Sequence, residues 1–382
     1  MSKASIVVDL MFGDGGKGIT TDYLSSFDSN NTIVVRYSGG QQAGHNVKIG
    51  NVSHIHASYG SGTLRGVPSF FTEHCTVSPV AMYNEYKVLK SKGVTPELYI
   101  HPLAKVTTPY DVAYNRMTEK INHHGSCGMG IGATMKRHNE TGFKLFAIDI
   151  SNPVLLAEKL KQINIYYCNK LKQICNTQEY ANEYWKKCEI ETKYFFEAIR
   201  ELNIITKPYK HLKNYDNIIF EGSQGILLDM DHGIFPHVTF ANTTSKNAIE
   251  ICKLLRITDV DLYYITRCYQ TRHGNGWMSN NDPIELINTE DEINVTNEWQ
   301  KSFRIGELDY ELLNYSLELD KIYSPGYKYN RNLVITCLDQ RPDFKFDVDK
   351  LNTKFKGIYN SYGPDSKTIT CTKFTPLTIN IY

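Results

Sequence analysis

A glycine-rich turn set directly after a short apolar run constrains this chain more than any other feature. The run Ile6-Val7-Val8-Asp9-Leu10 reads as a buried strand, and Gly13-Asp14-Gly15-Gly16-Lys17-Gly18 follows it. Glycine takes positive φ at no steric cost and lets N–H groups converge on an anion. A lysine at the mouth of the following helix adds a full charge to the partial positive charge of the helix N-terminus. Strand, turn and helix with a phosphate at the turn is the geometry this pattern favours over an ordinary glycine-rich turn. Asp14 is out of place there, because a carboxylate repels phosphate unless it holds a metal or takes a proton from a substrate. The loop therefore reads as catalytic as well as adhesive. It is not a Walker A loop, which needs four residues before its Gly-Lys pair and a Ser or Thr after it.

Further short β-rich runs recur along the chain, at Ile33–Arg36, Leu98–His101, Asn217–Phe220, Leu262–Thr266 and Leu333–Thr336. Each leads into polar or glycine-containing residues, and helical stretches separate them. This alternation predicts an α/β fold with a large, mostly parallel central sheet flanked by helices. Residues 153–205, rich in Glu, Lys and Leu at helical spacing, read as a helical insertion of one or two long surface helices. With no repeat or linker in 382 residues, the chain reads as one domain over 1–382.

In an open parallel sheet, ligands sit beyond the C-terminal ends of the strands, so the loops there matter most. Gly39-Gly40-Gln41-Gln42-Ala43-Gly44-His45 supplies an imidazole, the side chain poised near neutral pH. A surface-loop histidine is the competing reading of His45 taken alone. Glu221-Gly222-Ser223-Gln224-Gly225 offers Gln224, whose amide suits reading a base edge. Asp229-Met230-Asp231-His232 has metal-ligand chemistry, although such carboxylates also serve to orient loops. Arg272-His273-Gly274-Asn275-Gly276, Arg304 to Asp309, Leu338-Asp339 and Ser361-Tyr362-Gly363-Pro364-Asp365 complete the series. Each is weak alone; their placement after successive strands is the stronger signal.

Bulk composition narrows the function. Lys plus Arg (42) nearly cancel Asp plus Glu (41), which argues against a general nucleic-acid or membrane-surface binder. Nine scattered cysteines include no CxxC pair and no zinc-type Cys/His spacing, as expected for reduced thiols in a cytoplasmic setting. No signal peptide or membrane-length apolar stretch is expected.

Taken together, the motifs resemble those of the adenylosuccinate synthetase family, a fold related to P-loop NTPases. The matching pieces are Gly13-Asp14-x-Gly16-Lys17-Gly18, Gly39-Gly40-x-x-Ala43-Gly44-His45, Gly128-x-Gly130-Ile131-Gly132 and Glu221-Gly222-x-Gln224-Gly225. They continue with Leu227-Leu228-Asp229-x-Asp231-His232-Gly233, Asn242-Thr243-Thr244 and Thr271-Arg272-x-Gly274-x-Gly276. Asn297-Glu298, Leu338-Asp339 and Gly363-Pro364-Asp365 end the series, in family order across nearly the whole chain.

The resemblance implies a carbon–nitrogen ligase. It phosphorylates O6 of a 6-oxopurine nucleotide with a nucleoside triphosphate and Mg2+, then lets the amine of L-aspartate displace the phosphate. By resemblance, Asp14 takes the proton from N1 and, with the Gly44 carbonyl, holds Mg2+, while His45 serves the transferring phosphoryl group. Gly13, Gly15, Gly16, Lys17 and Gly18 cradle the triphosphate, together with Gly44 and His45. Asp339, Ser361, Gly363 and Pro364 meet its base. Gln42, Cys127, Gly128, Gln224, Thr239 and His273 contact the purine nucleotide with Asp14, and Ser302 and Arg304 contact aspartate. A homodimer is implied, with Arg137 as the candidate arginine reaching a partner's nucleotide.

The departures are as informative. The family's Gly-Asp-Glu-Gly-Lys-Gly loop has Gly15 at its glutamate, leaving room for a purine 2-amino group. Its Asn before Ala-Gly-His is Gln42, and its Thr-Thr-Gly-Arg-Gly-Ile-Gly loop is reduced to Ser126-Cys127-Gly128-Met129-Gly130-Ile131-Gly132. The arginine-rich aspartate loop has shrunk to Gln300-Lys301-Ser302-Phe303-Arg304, and Cys337 replaces the lysine of Thr-Lys-Leu-Asp that packs on guanine. Retained chemistry with altered substrates is the pattern of viral members that act on dGMP and make the succinylated precursor of 2-aminoadenine deoxynucleotides. The sequence therefore points to dGMP, aspartate and ATP ahead of IMP, aspartate and GTP. A P-loop-like switch without ligase activity and a catalytically dead paralogue used for assembly are the readings from other classes.

Overall fold

A computed structural model describes residues 2–122, 128–174, 178–290, 292, 294, 303–324 and 329–374. Its centre is a ten-stranded sheet. In spatial order the strands are Ile369–Phe374, Gly357–Ser361, Asn330–Thr336, Val260–Arg267, Lys3–Asp9, Asn217–Glu221, Thr32–Arg36, Ser69–Phe71, Leu98–Ile100 and Ile205–Thr206. Neighbours pair in parallel except the outermost two on one side, Gly357–Ser361 and Ile369–Phe374. The sheet sorts its strands by composition. Val260–Arg267 and Thr32–Arg36, buried throughout, lie in the middle, where parallel strands have helices on both faces.

Because the central strands run the same way, their C-terminal ends lie along one edge of the sheet. The loops after Asp9, Arg36, Glu221, Arg267, Thr336 and Ser361 therefore emerge side by side. The longest core cluster packs Ile6, Val8, Phe220, Leu262, Tyr264 and Leu333 against helix residues Ile249, Leu313 and Leu317. A second core lies to one side, where Pro153–Ile174 and Gln178–Leu202 pack on Pro79–Ser91 and Pro109–Asn122 through Leu156, Ile163, Met82 and Phe195. Two helices thus occupy the segment expected to be helical. Two smaller pieces matter to the site: a hairpin of His45–Ile49 with Val52–His56, and a ribbon pairing Gln270–His273 with Phe303–Gly306.

Arg137 does not reach outward. Its side chain is fully buried: Nε and Nη2 donate to the two oxygens of Asp111 at 2.9 and 2.8 Å, and Nη1 donates to the Phe143 carbonyl at 2.7 Å. The guanidinium's five donors suit a bidentate partner, and Asp111 supplies it. Burial pushes the Asp111 carboxyl up, but Arg137 wins and holds it below its ordinary value. Arg137 is therefore a structural cation of the second core, not an interface residue. Removing one member of a buried pair strands the other, at a cost of about 3–5 kcal/mol. Arg137→Met should lower urea-unfolding stability by that order, and a loss under about 1 kcal/mol would contradict the assignment.

Candidate functional site

The loop after Lys3–Asp9 turns on positive φ at Gly13 (109°), Asp14 (59°) and Gly16 (104°), and the helix Lys17–Ser25 starts at Lys17. Asp tolerates the left-handed region better than most side chains. The turn is held from inside by Asp9, whose carboxylate accepts from the backbone N–H of Met11 (3.1 Å) and Gly15 (2.8 Å) and from Lys17 Nζ (2.9 Å). It is held from the neighbouring strands by Arg267 Nε on the Asp14 carbonyl (2.6 Å) and Thr336 Oγ1 on the Gly15 carbonyl (2.7 Å). Lys17 and Asp9 are both buried.

The loop after Asn217–Glu221 packs flush against this one. A Cβ on Gly225 would fall 2.1 Å from the Met11 carbonyl, so the close approach needs glycine. That approach sets Gln224, at φ 46°, against Gly13, with its Oε1 buried and without a hydrogen-bond partner.

His45 enters from the hairpin. Its Nδ1 lies 2.7 Å from Glu221 Oε1, at the end of the adjacent strand, and its Nε2 is buried without a partner. Glu221 also accepts from the Ser61 backbone N–H (3.1 Å) and hydroxyl, and Arg36 Nη1 stands 4.0 Å away. Burial pushes His45 down to about 4, overcoming the carboxylate beside it. Burial works the other way on Glu221, but His45 and Arg36 hold it down at about 2. The neutral ring donates from Nδ1 to Glu221, which leaves the Nε2 lone pair aimed into the site.

The glycine turn and His45 line one cleft of roughly 890 Å³, part of it open solvent, whose lining does not include Gln224. Asp14, Gly16, Lys17, Gly18, Gly44 and His45 form one wall. Asp339, Ser361, Gly363 and Pro364 form another, so the residues predicted for phosphates and for donor base share a single space. Cys337 lies between them at φ 60°. Gly13 and Gly15 are in the same turn.

On the far side of Asp14, His273 Nε2 lies 3.4 Å from Asp14 Oδ2 and 3.0 Å from Asn294 Oδ1. Arg304 sits directly across the ribbon from Arg272. Its Nη2 donates to the carbonyls of Gly274 (3.0 Å) and Gly276 (2.7 Å), and its Nε has no partner. Arg272 is buried over the Phe12 ring (4.4 Å), and burial lowers its pKa to about 10. Among the described residues no carboxylate pairs with either arginine. Gln42 Oε1 is another buried acceptor without a partner, Thr239 N–H donates to the Leu228 carbonyl (2.8 Å), and the Gly128 carbonyl accepts from Arg116 Nε (3.2 Å). Cys127 and Ser302 lie outside the described residues. Asp229 orients its loop, accepting from the backbone of Asp231 (2.9 Å) and Thr243 (2.6 Å).

Two carboxylates were missed by sequence reasoning, Asp9 and Glu221. Asp9 was hidden inside an apolar run; a charge closing a buried strand was the available signal. It also bears on the reading of Gly15 as open room. A Cβ built on Gly15 would lie 2.7 Å from Asp9 Oδ2. The space a side chain would take at position 15 holds the Asp9 carboxylate instead.

A family model described as adenylosuccinate synthetase matches residues 6–341. The adenylosuccinate synthetase of Chlorobium chlorochromatii is 31% identical over 349 residues, covering 84% of this chain and 74% of that protein. That of Buchnera aphidicola is 29% identical, covering 94% and 82%. Among solved structures, fully ligated adenylosuccinate synthetase from Plasmodium falciparum aligns at TM-score 0.67 and 16% identity, covering 97% of this chain and 99% of that one. Cyanophage S-2L succinoaminodeoxyadenylate synthetase (PurZ), bound to dGMP and dATP as an energy donor, aligns at 0.67 and 15%, covering 97% and 96%. The family model and these relatives make the chain a ligase that forms carbon–nitrogen bonds. The chain belongs to the adenylosuccinate synthetase family.

The Asp9–Gly15 exchange gives a direct prediction. Gly15→Glu should crowd two carboxylates and lower kcat/KM at least about tenfold, equivalent to about 1.4 kcal/mol. Adding Asp9→Ala should recover most of that loss, because the introduced glutamate then returns the charge to the same space. A double variant no better than Gly15→Glu would refute the coupling.

Acid stability gives another. Unfolded histidine protonates near its ordinary value of about 6.5, whereas native His45 resists until about 4, so stability falls as pH drops through that window. His138, pushed down to about 3 by burial, acts in the same direction, and Glu221 extends the loss at lower pH. The urea midpoint should decline from about pH 6.5 downward, less steeply in His45→Gln; a midpoint flat to about pH 4.5 would contradict it.

Proposed function

We propose that this enzyme phosphorylates O6 of a 6-oxopurine nucleoside monophosphate and then couples L-aspartate at C6, with dGMP as the purine and ATP as the donor. The observation that carries the chemistry is the meeting of Asp14, Lys17 and the unpartnered Nε2 of His45 at one cleft whose other wall is Asp339 and Ser361–Pro364. Asp14, half-buried beside His273, accepts the N1 proton and so makes O6 nucleophilic. The triphosphate's charges reverse the electrostatic balance at His45. The imidazolium, backed by Glu221, then donates from Nε2 to the transferring group. Lys17 leaves Asp9 for the phosphates, offsetting their charge in the transition state.

Asp14 and the Gly44 carbonyl are hard oxygen donors lining this cleft, which fits Mg2+. The ion would supply charge neutralisation on the phosphoryl oxygens. Arg272 and Arg304, cations without carboxylate partners, suit the two carboxylates of aspartate.

The choice of dGMP and ATP rests on what is missing. The loop ending at Gly132 lacks the family's hydroxyl and arginine near the sugar phosphate, and Cys337 replaces the lysine stem that packs on guanine. The PurZ structure binding dGMP and dATP supports it by fold. The second reading, IMP with GTP, draws on Asp339 at the base end of the cleft and on the curated relatives named above. We further propose a homodimer acting in the cytoplasm; among the described residues no helix is long and apolar enough to cross a membrane.

Steady-state phosphate release with dGMP or IMP, each with ATP or GTP, tests the reading. dGMP with ATP should give the highest kcat/KM, and turnover of IMP alone refutes it. Asp14→Asn should lower kcat by at least about 10³-fold without changing the melting temperature, and near-normal turnover would remove Asp14 from its role.

A further inference from the structure

Across the hairpin from His45 lies a second cluster that the ligase chemistry does not use. His54 and His56 sit two residues apart on the strand Val52–His56, so both side chains point to the same face. Glu85, from the helix Pro79–Ser91, reaches that face. Its Oε1 is 3.3 Å from His54 Nε2 and 3.6 Å from His56 Nδ1, and the three ligand atoms lie within 4.8 Å of one another. All three residues are buried.

We propose that His54, His56 and Glu85 form a binding site for a divalent transition ion, zinc in the first instance, separate from the magnesium of the reaction. Three observations converge on it. His56 is fully buried, yet neither ring nitrogen has a hydrogen-bond partner, an arrangement that burial penalises unless something else satisfies the ring. Glu85 is already held in a ligating orientation, since Oε2 is taken by the backbone N–H groups of Ala57 (3.0 Å) and Ser58 (2.6 Å), which leaves Oε1 for both histidines. The two spacings from Glu85 Oε1 to the histidines, 3.3 and 3.6 Å, also match a metal polyhedron. Zinc bonds of about 2.0–2.2 Å in a tetrahedron put neighbouring ligand atoms about 3.3–3.6 Å apart.

Two imidazoles and one carboxylate select zinc-like ions over Mg2+, which prefers an all-oxygen shell with water. Lys92 Nζ stands 3.2 Å from His54 Nδ1 and also donates to the Ser53 carbonyl. It is an exposed side chain that can swing away when Nδ1 takes the ring proton and Nε2 takes the metal. Three protein ligands leave the fourth position to water. His56 pairs across the hairpin with His45, so a bound ion would fasten the arm that carries His45 to the helix Pro79–Ser91.

The test uses the full chain, stripped with a chelator and titrated with ZnCl2 by calorimetry and with CoCl2 by visible absorption. One equivalent of Zn2+ should bind with a Kd in the micromolar range or tighter. Co2+ should show tetrahedral ligand-field bands without the near-ultraviolet sulfur charge-transfer that cysteine ligation produces. Excess MgCl2 should not displace either ion. Glu85→Gln and His54→Ala should each weaken Zn2+ at least about tenfold. Absence of a binding equivalent in the wild-type chain, sulfur charge-transfer, or unchanged affinity in both variants overturns the proposal. The wild-type measurements decide even if a variant fails to fold.

Discussion

The site depends on buried carboxylates at the C-terminal ends of adjacent strands being fully satisfied. Asp9 and Glu221 close neighbouring parallel strands, and each lies where water cannot solvate it. An uncompensated charge there would be ruinous, so each must gather donors. Asp9 gathers the turn that starts the phosphate loop and the lysine beyond it. Glu221 gathers His45, Ser61 and the neighbourhood of Arg36. The loops of the site are thus wrapped around two charges that the sheet edge displays. Satisfying the charges and building the cleft are the same act.

This explains which parts were legible in the sequence. The central strands could be read because a strand buried on both faces is a plain apolar, β-branched run. The loops could be read because each follows such a run. The wall formed by Asp339 and Ser361–Pro364 falls opposite Lys17 because strands distant in the chain are adjacent in the sheet, which family order conveyed and spacing alone did not. What could not be read were pairings across space. Arg137 looks like any helix arginine until Asp111 is beside it, and His54 and His56 look like surface strand residues until Glu85 arrives from another element. Gly15 reads as empty room from the sequence because nothing in the chain order places the Asp9 carboxylate beside it.

That correction relocates the question of substrate choice. If the Asp9 carboxylate occupies the space beside Gly15, the loop keeps its charge and its volume, and the exchange is internally compensated. A compensated change carries little information about the purine. The uncompensated ones do: a lost lysine at Cys337, a lost arginine and hydroxyl before Gly132, and a shortened segment before Arg304. Cys337 lines the cleft, and the Arg267 guanidinium lines it as well.

The hairpin His45–His56 joins both themes. At its open end the first strand brings His45 to the cleft, and the second brings His56, the residue paired with it, beside Glu85. A two-stranded ribbon alone is marginally stable, so its position must come from what it touches. Both anchors act at the open end: Glu221 on His45 of the first strand, and Glu85 on the second, holding two backbone amides and facing two imidazoles. In the proposed mechanism His45 would need a fixed orientation, since a shift of about 1 Å costs about 10²-fold in rate. A ribbon gripped on both of its strands by buried carboxylates meets that need.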